Sequence, residues 1–362
     1  MKKKILFLGI HRKDRSPSQR FRFEQYLDYL EENGFQCEFS NIIRAEDDKV
    51  FYGAGNFFGK LGILMRSISK RWKESARAKD YDIVFVQREC FMLGTTFFEK
   101  RFAKKTKLVF DFDDSIWLQV VSANNKSVGF LKDADKTAKL IEMSDMVFAG
   151  NPYLANYASK YNKNVKIVPT TIDTEEYVRV PQEPRDRVCV GWSGSFTTIE
   201  HFEHCLPALA KLKEKYGDKV YFKVIGDGNY KHEELGIQGI PWTKKDELKE
   251  LSEIEIGLMP LPNDEWTNGK CGLKGLQYMA LDIPTIMSPV GVNTEIIQDG
   301  ENGLLADGVD EWVEKISMLI DNPELRETMG KKGRKTVVDQ YSVISERDNY
   351  VKHFNELLSK ES

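Results

Sequence analysis

Across the first 170 residues, short unbroken apolar runs alternate with longer stretches whose apolar residues recur at helical spacing. Runs at 3–10, 36–41, 82–87, 107–112, 145–149 and 165–168 predict strands covered on both faces. Between them the spacing predicts helices over 17–33, 58–78, 92–104, 128–143 and 152–161, the first capped by Ser16 with Pro17 in its opening turn. Strands and helices alternating at this interval predict a parallel sheet with helices on both faces. Residues 171–186 are polar, aperiodic and punctuated by Pro181 and Pro184, which predicts a linker.

The pattern then restarts. A strand at 188–192 leads into Gly191-Trp192-Ser193-Gly194-Ser195, and Thr197 with Glu200 predicts a capping box for a helix over 199–216. A strand at 220–225, the turn Gly226-Asp227-Gly228 and a helix at 244–252 follow. Next come a strand at 255–261, a polar loop at 263–269 and a helix from Gly272 carrying Leu273, Leu276, Gln277, Met279 and Ala280. A strand at 282–288 turns through Gly291 into a helix, and Asp299 to Gly303 make a tight turn. Helices over 310–320, 323–340 and 342–358 close the chain, with Tyr341-Ser342 as a break and new cap. The whole is α/β, and 362 residues predict two domains. Ligands of such sheets sit outside the carboxyl ends of the strands.

Composition narrows the classes. A formal net charge of −3 gives no reason to expect nucleic acid as a partner. Cys37, Cys90, Cys189, Cys205 and Cys271 are odd in number and never paired as C-x-x-C, which argues for a reducing cytoplasmic compartment without a disulfide framework or zinc site. The run after Met1-Lys2-Lys3-Lys4 is too short for a signal peptide and meets His11, Arg12 and Lys13 at once. No apolar run is long enough to span a bilayer.

Five stretches carry candidate chemistry. Lys270 and Lys274 stand in the first turn of a helix, the wrong end for the macrodipole unless an anion joins them. The other reading is two solvated surface lysines. Gly194 and Ser195 precede a helix and suggest a second phosphate cradle. The first strand lacks G-x-G-x-x-G; its loop leads instead to Arg20 and Arg22, candidates to meet an anion or plain surface charges. The strand ending in Asp111-Phe112-Asp113-Asp114 delivers carboxylates to its carboxyl end, where clustering raises their pKa values and suits a base. Finally, 57–73, with Arg77 and Lys79 beyond, is apolar on one face and basic on the other. It reads either as a helix lying in an anionic membrane interface or as one with its apolar face on the sheet.

The ordered set Val190-Gly191-Trp192-Ser193-Gly194-Ser195, Ile225-Gly226-Asp227-Gly228, Leu276 to Ile286, Ser288-Pro289-Val290-Gly291-Val292, Glu295-Ile296-Ile297, Asp299-Gly300 and Asn302-Gly303-Leu304-Leu305 resembles the GT-B glycosyltransferases of family 4. The resemblance covers nearly the whole chain. It implies two Rossmann-like domains facing across a cleft: an acceptor domain at 1–170, a linker at 171–186, a donor domain at 187–340 and a helix at 341–362 returning to the first domain. It implies a retaining transferase that needs no metal and takes a hexose or N-acetylhexosamine from a nucleoside diphosphate sugar. The acceptor implied is a saccharide of surface polysaccharide or glycolipid assembly, and a lipid-linked one met at the inner face of a membrane if the helix over 57–73 lies in that interface.

The family pattern places Gly194, Ser195 and Lys270 or Lys274 around the diphosphate, and the base against Ile240-Pro241-Trp242. Thr294 and Glu295 fall near phosphates and ribose, Gln277 near the ribose. Arg20 and Arg22 fall on the acceptor side, and Asp113 and Asp114 on a His-Asp pair of many relatives. A D-x-D metal site is the alternative for those carboxylates, but it belongs to another architecture. One departure stands out: the family's two glutamates eight positions apart fall on Gly269 and Gln277. Gly269 has no side chain to offer a sugar. A nucleotide-sugar epimerase on the same fold, or a catalytically silent nucleotide-sugar-binding partner, are therefore the competing readings.

Overall fold

The computed structural model describes residues 2–53, 55–118 and 135–359. The chain forms two compact units, Met1–Pro169 with Arg347–Ser362, and Thr170–Glu346.

In the first unit β1 (Lys3–Leu8), β2 (Phe35–Ser40), β3 (Ile83–Gln87), β4 (Lys107–Phe112), β5 (Met146–Ala149) and β6 (Val165–Ile167) form a parallel sheet in the order β2-β1-β3-β4-β5-β6. The central strands β3 and β5 are buried along their whole length, as their unbroken apolar runs require. An aromatic core packs on one face: Phe7 stacks on Phe23 at 5.3 Å, and Phe148 on Phe354 at 5.9 Å. Phe354 lies on the last helix, Val343–Ser359, whose Tyr350 ring stacks on Tyr26 at 4.1 Å.

Two helices depart from expectation. The helix over 17–33 is broken into Pro17–Arg20, a 3-10 turn at Glu24–Tyr26, and Leu27–Glu32. At the break Gln19 folds back onto the backbone of His11, and Arg22 turns inward to Asp111. These tertiary bonds displace the continuous helical ladder. The helix over 92–104 begins only at Phe97, because the carbonyls of Phe91 and Leu93 accept from the Lys136 ammonium at 2.7 and 2.6 Å. Of the helix over 128–143, Lys136–Met143 is observed, and 128–134 lie outside the described residues.

The second unit repeats the architecture. Its parallel sheet comprises β7 (Val188–Ser193), β8 (Val220–Gly226), β9 (Ile240–Pro241), β10 (Ile256–Met259), β11 (Thr285–Met287) and β12 (Leu304–Leu305) in the order β9-β8-β7-β10-β11-β12. A small hairpin, Lys231–His232 with Ile237–Gln238, lies between β8 and β9 in sequence and was not foreseen. The helix over 199–216 is interrupted: Ile199–Glu203 stops, and Leu206–Tyr216 restarts with Pro207 in its first turn.

The stretch read as a linker is built into this unit. Tyr177 is buried and donates to Glu247 at 2.8 Å, while Arg334 donates to the carbonyls of Tyr177 and Thr174 at 2.8 and 3.1 Å. Ile172 exchanges backbone bonds with Tyr341 and Val343 at 2.8 and 3.0 Å. The prolines masked these anchors.

Helices Leu273–Ala280 and Pro323–Gln340 pack closely, and a Cβ on Gly330 would stand 2.0 Å from the Asp282 carbonyl oxygen. Backbone cannot yield there as a side chain can. Gly330→Ala gains up to ~1 kcal/mol of helix propensity, but the overpacking costs about 1–3 kcal/mol. A lowered urea midpoint for the second unit is expected; a raised one would show that the helices are free to part.

Candidate functional site

Each unit gathers polar side chains at the carboxyl ends of its strands. In the second, β7 ends at Ser193, whose N–H donates to the Tyr278 hydroxyl at 2.6 Å. The Gly194 N–H donates to the Ile225 carbonyl at 2.9 Å, and the Ser195 N–H to Thr198 Oγ1 at 3.1 Å. The Ser195 and Thr197 hydroxyls share a bond of 2.8 Å. The expected capping box of Thr197 is not formed: Ser195 caps a 3-10 turn at Phe196–Thr198, and Thr198 stands at the N-cap of the helix that follows without a side-chain capping bond. Both amides expected to cradle phosphate are already paired. What the glycines provide is closeness: Gly226 has φ +136°, and a Cβ on it would lie 2.0 Å from the Gly194 carbonyl oxygen.

The cations come from the neighbouring helix. Gly272 caps Leu273–Ala280 in the left-handed conformation, and Lys270 and Lys274 flank that start. The Lys274 ammonium lies 5.6 Å from the Trp192 ring centroid, and the Lys270 ammonium 4.9 Å from that of Trp266. A Cβ on Gly194 would meet Lys274 Cε at 3.0 Å, so this lysine lies against the β7 loop. Two ammonium groups beside an N-terminal turn make a field suited to an anion. Its strength registers on His201, which is buried with no hydrogen-bond partner for Nδ1 among the described residues. Burial first, then Lys274 and Lys270, bring its pKa down to about 4.

A second cluster joins residues that the sequence left separate. The Trp242 indole N–H donates to Glu247 Oε1 at 2.9 Å, and the Tyr177 hydroxyl to Oε2 at 2.8 Å. The Gln277 amide donates to the Tyr177 hydroxyl at 3.1 Å and to Glu247 Oε1 at 3.4 Å. Trp242 and Gln277 therefore meet at a buried carboxylate that sequence reasoning missed; in a helix of mixed charge nothing marked Glu247 out. Ile240 is half-buried on the edge strand β9, paired with Ile225. Thr294 and Glu295 are exposed, and the Thr294 hydroxyl donates to the Gly291 carbonyl at 2.9 Å. Their neighbour Asn293, also missed, is fully buried and donates to the Ser288 carbonyl at 3.0 Å. A cavity of about 240 Å³ opens beyond β10, β11 and β12, lined by Pro260, Leu261, Ser288 and Trp312. Neither lysine lines it.

In the first unit Arg22 is fully buried, its guanidinium forked onto Asp111 with Nε to Oδ1 at 3.1 Å and a further N–H given to the Val168 carbonyl. Arg22 is structural, and its expected role as an anion receptor does not hold. Arg20 is also buried, 4.0 Å from Asp14 and packed on the Phe21 ring. Asp113 and Asp114 do emerge beyond β4, but both face Arg88, at 2.8 and 3.5 Å. Burial pushes the Asp113 carboxyl up, yet the charges of Arg88 and Arg22, with hydrogen bonds from Arg88 and Ser18, outweigh it and hold the pKa below its ordinary value. The expected rise is reversed at Asp113, whereas burial raises the pKa of Asp111. Arg88 occupies the left-handed region at φ +60°, a strained position for a side chain this size, directly after β3. His11, after β1, was also missed. Burial and then Arg15 lower its pKa to about 4, and the Tyr52 hydroxyl stands 3.2 Å from Nδ1.

Residues 173–336 match the family model of glycosyl transferases group 1. The matched stretch lies within the second unit. N-acetyl-alpha-D-glucosaminyl L-malate synthase of Bacillus anthracis is 25% identical to the chain over 223 residues, 56% of this chain and 57% of that relative's length. Among solved structures, sucrose-phosphate synthase from Thermosynechococcus elongatus superposes with a TM-score of 0.72 at 13% identity, covering 99% of this chain and 100% of that one. Anabaena HepE in complex with UDP and glucose gives 0.67 at 14%, covering 98% and 99%. The fold is GT-B: α/β, with two Rossmann-like units.

His201, with its lowered pKa, should make the second unit sensitive to acid. Unfolded, it titrates near 6.5; folded, near 4, so between those values the unfolded chain binds more protons and stability falls as pH falls. The loss reaches roughly 2 kcal/mol by pH 5. His201→Gln removes this component, so the parent's unfolding temperature should drop more between pH 7 and 5 than the variant's. Parallel curves would place the histidine's proton elsewhere.

Proposed function

We propose that the protein is a retaining, metal-independent glycosyltransferase that takes a hexose or N-acetylhexosamine from a nucleoside diphosphate sugar. The observation that carries this reading is the pair Lys270 and Lys274 beside the N-terminal turn of Leu273–Ala280 in the stretch that matches glycosyl transferases group 1. When the sugar departs, negative charge develops on the diphosphate, and cations already in place stabilise it without reorganisation. HepE, which shares the fold, was solved with UDP and glucose, which supports a nucleotide-sugar donor.

Ile240 and Trp242 border the base in this reading. Gln277 addresses the ribose, held by Glu247 and Tyr177. Glu247 places a carboxylate within 3.4 Å of the Gln277 amide and so makes up in part for the absent glutamate. Asp113, kept ionised by Arg88, orients an acceptor hydroxyl by accepting its hydrogen bond. With Asp111 turned to Arg22 and the next two aspartates to Arg88, the acidic triplet is neutralised by guanidinium groups, which supports a reaction without a divalent cation. The acceptor is a saccharide or lipid-linked saccharide of surface-glycan assembly.

A second reading, a silent nucleotide-sugar-binding partner, is favoured by Gly269, where no side chain reaches the sugar. A nucleotide-sugar epimerase would consume donor with no acceptor present.

Nucleoside diphosphates and their sugars, screened by thermal shift without metal, should single out one base; a hundredfold excess over Kd stabilises by about 2.7 kcal/mol. No shift with any of them would remove the donor assignment. Lys270→Ala or Lys274→Ala should lower turnover ten- to a hundredfold, about 1.4 kcal/mol per factor of ten. Donor binding without transfer to any saccharide selects the silent partner.

A further inference from the structure

We propose that the helix Phe57–Ala76 docks the first unit on an anionic lipid bilayer. The inference rests on this surface alone and is independent of how the donor is bound.

The helix is inside out. Its inward face, at four-residue intervals, is Ile63, Ser67, Arg71 and Ser75, and three of these four are polar. Arg71 has 0% exposure and donates to the carbonyls of Cys90, Gly9 and Ser40 at 2.7, 2.8 and 3.3 Å, with Glu74 at 2.7 Å. Rolling the helix to bury its apolar side would strand that guanidinium, so the apolar side is locked outward. There Phe57 is 72% exposed, Phe58 84%, Met65 59% and Leu61 41%. Large contiguous apolar exposure of this kind marks an interaction site. Further along, Trp72 stacks on Phe97 at 5.7 Å beneath the Arg101 guanidinium, half in solvent.

Charge identifies the occupant. Between Phe57 and Lys79 stand seven basic residues and one acidic residue, in a chain whose formal net charge is −3. Arg66 and Arg71 are held by Asp47 and Glu74, but Lys60, Lys73 and Lys79 are exposed and form no ion pair among the described residues. Aromatic rings at one end with exposed lysines beside them and further along suit a surface that takes rings into its acyl boundary and ammonium groups at its headgroups. Each such lysine adds attraction that salt weakens. Among the described residues no helix is long and apolar enough to cross a membrane, so this contact would be peripheral.

The test is co-sedimentation of the full chain with vesicles of phosphatidylglycerol and phosphatidylcholine, against phosphatidylcholine alone. Binding to the anionic vesicles only, weakened by salt, is expected. The double variants Phe57→Ser/Phe58→Ser and Lys60→Glu/Lys73→Glu alter exposed side chains, so the parent's unfolding temperature should persist while the bound fraction falls at least tenfold. Parent protein that stays in the supernatant, or variants that sediment as well as the parent, would overturn the proposal. So would self-association abolished by the same variants without vesicle binding, which would make a second copy the occupant. The nucleotide thermal shift, run on the same samples, should be unchanged by these variants and reports on the donor site separately.

Discussion

The first unit depends on a single buried guanidinium. Arg22 forks onto Asp111 at the end of β4, gives a further N–H to the carbonyl of Val168 just beyond β6, and accepts the Tyr350 hydroxyl on its own carbonyl. Two strand ends, the loop after β1 and the last helix are thereby held to one residue. Losing one partner of a fully buried pair strands the other charge, at a cost of about 3–5 kcal/mol. The same pair sets the electrostatics nearby, because Arg22 adds to Arg88 in keeping Asp113 ionised. Structure and candidate chemistry share one charge.

The second unit solves the equivalent problem with a carboxylate. Glu247 collects an indole, a phenol and an amide from three separate segments, and Arg334 ties the start of the unit to its long helix through backbone carbonyls. The polar cluster is held rigid by groups that each have a partner. The two lysines also rest over aromatic faces, Lys274 over Trp192 and Lys270 over Trp266.

Strands of a parallel sheet are legible because burial on both faces leaves an unbroken apolar run, and β1 to β5 fall within a few residues of their expected places. The ordered glycine and proline motifs likewise identified the GT-B fold before any coordinates. What did not show was every feature decided by a distant partner. Arg22 reads as surface charge until Asp111, far along the chain, is brought beneath it. The helix over 17–33 has continuous periodicity, and only tertiary hydrogen bonds break it. Glu247 carries no local signal at all. For Phe57–Ala76 the period was right but the inward face could not be read, since a buried side made of serine and arginine contradicts the rule that apolar residues turn inside.

The chain enters the second unit at Thr170 and leaves it again at Arg347, so the first unit is assembled from both ends of the sequence. Phe7, Phe35, Phe85 and Phe148 wait for Phe354 to complete their ring cluster. On a ribosome that order matters. The half made first cannot close its core until the half made second has emerged, which inverts the usual N-terminal-first sequence of domain folding. Until the last helix is synthesised, that aromatic face lacks the Phe354 ring that covers it in the folded unit.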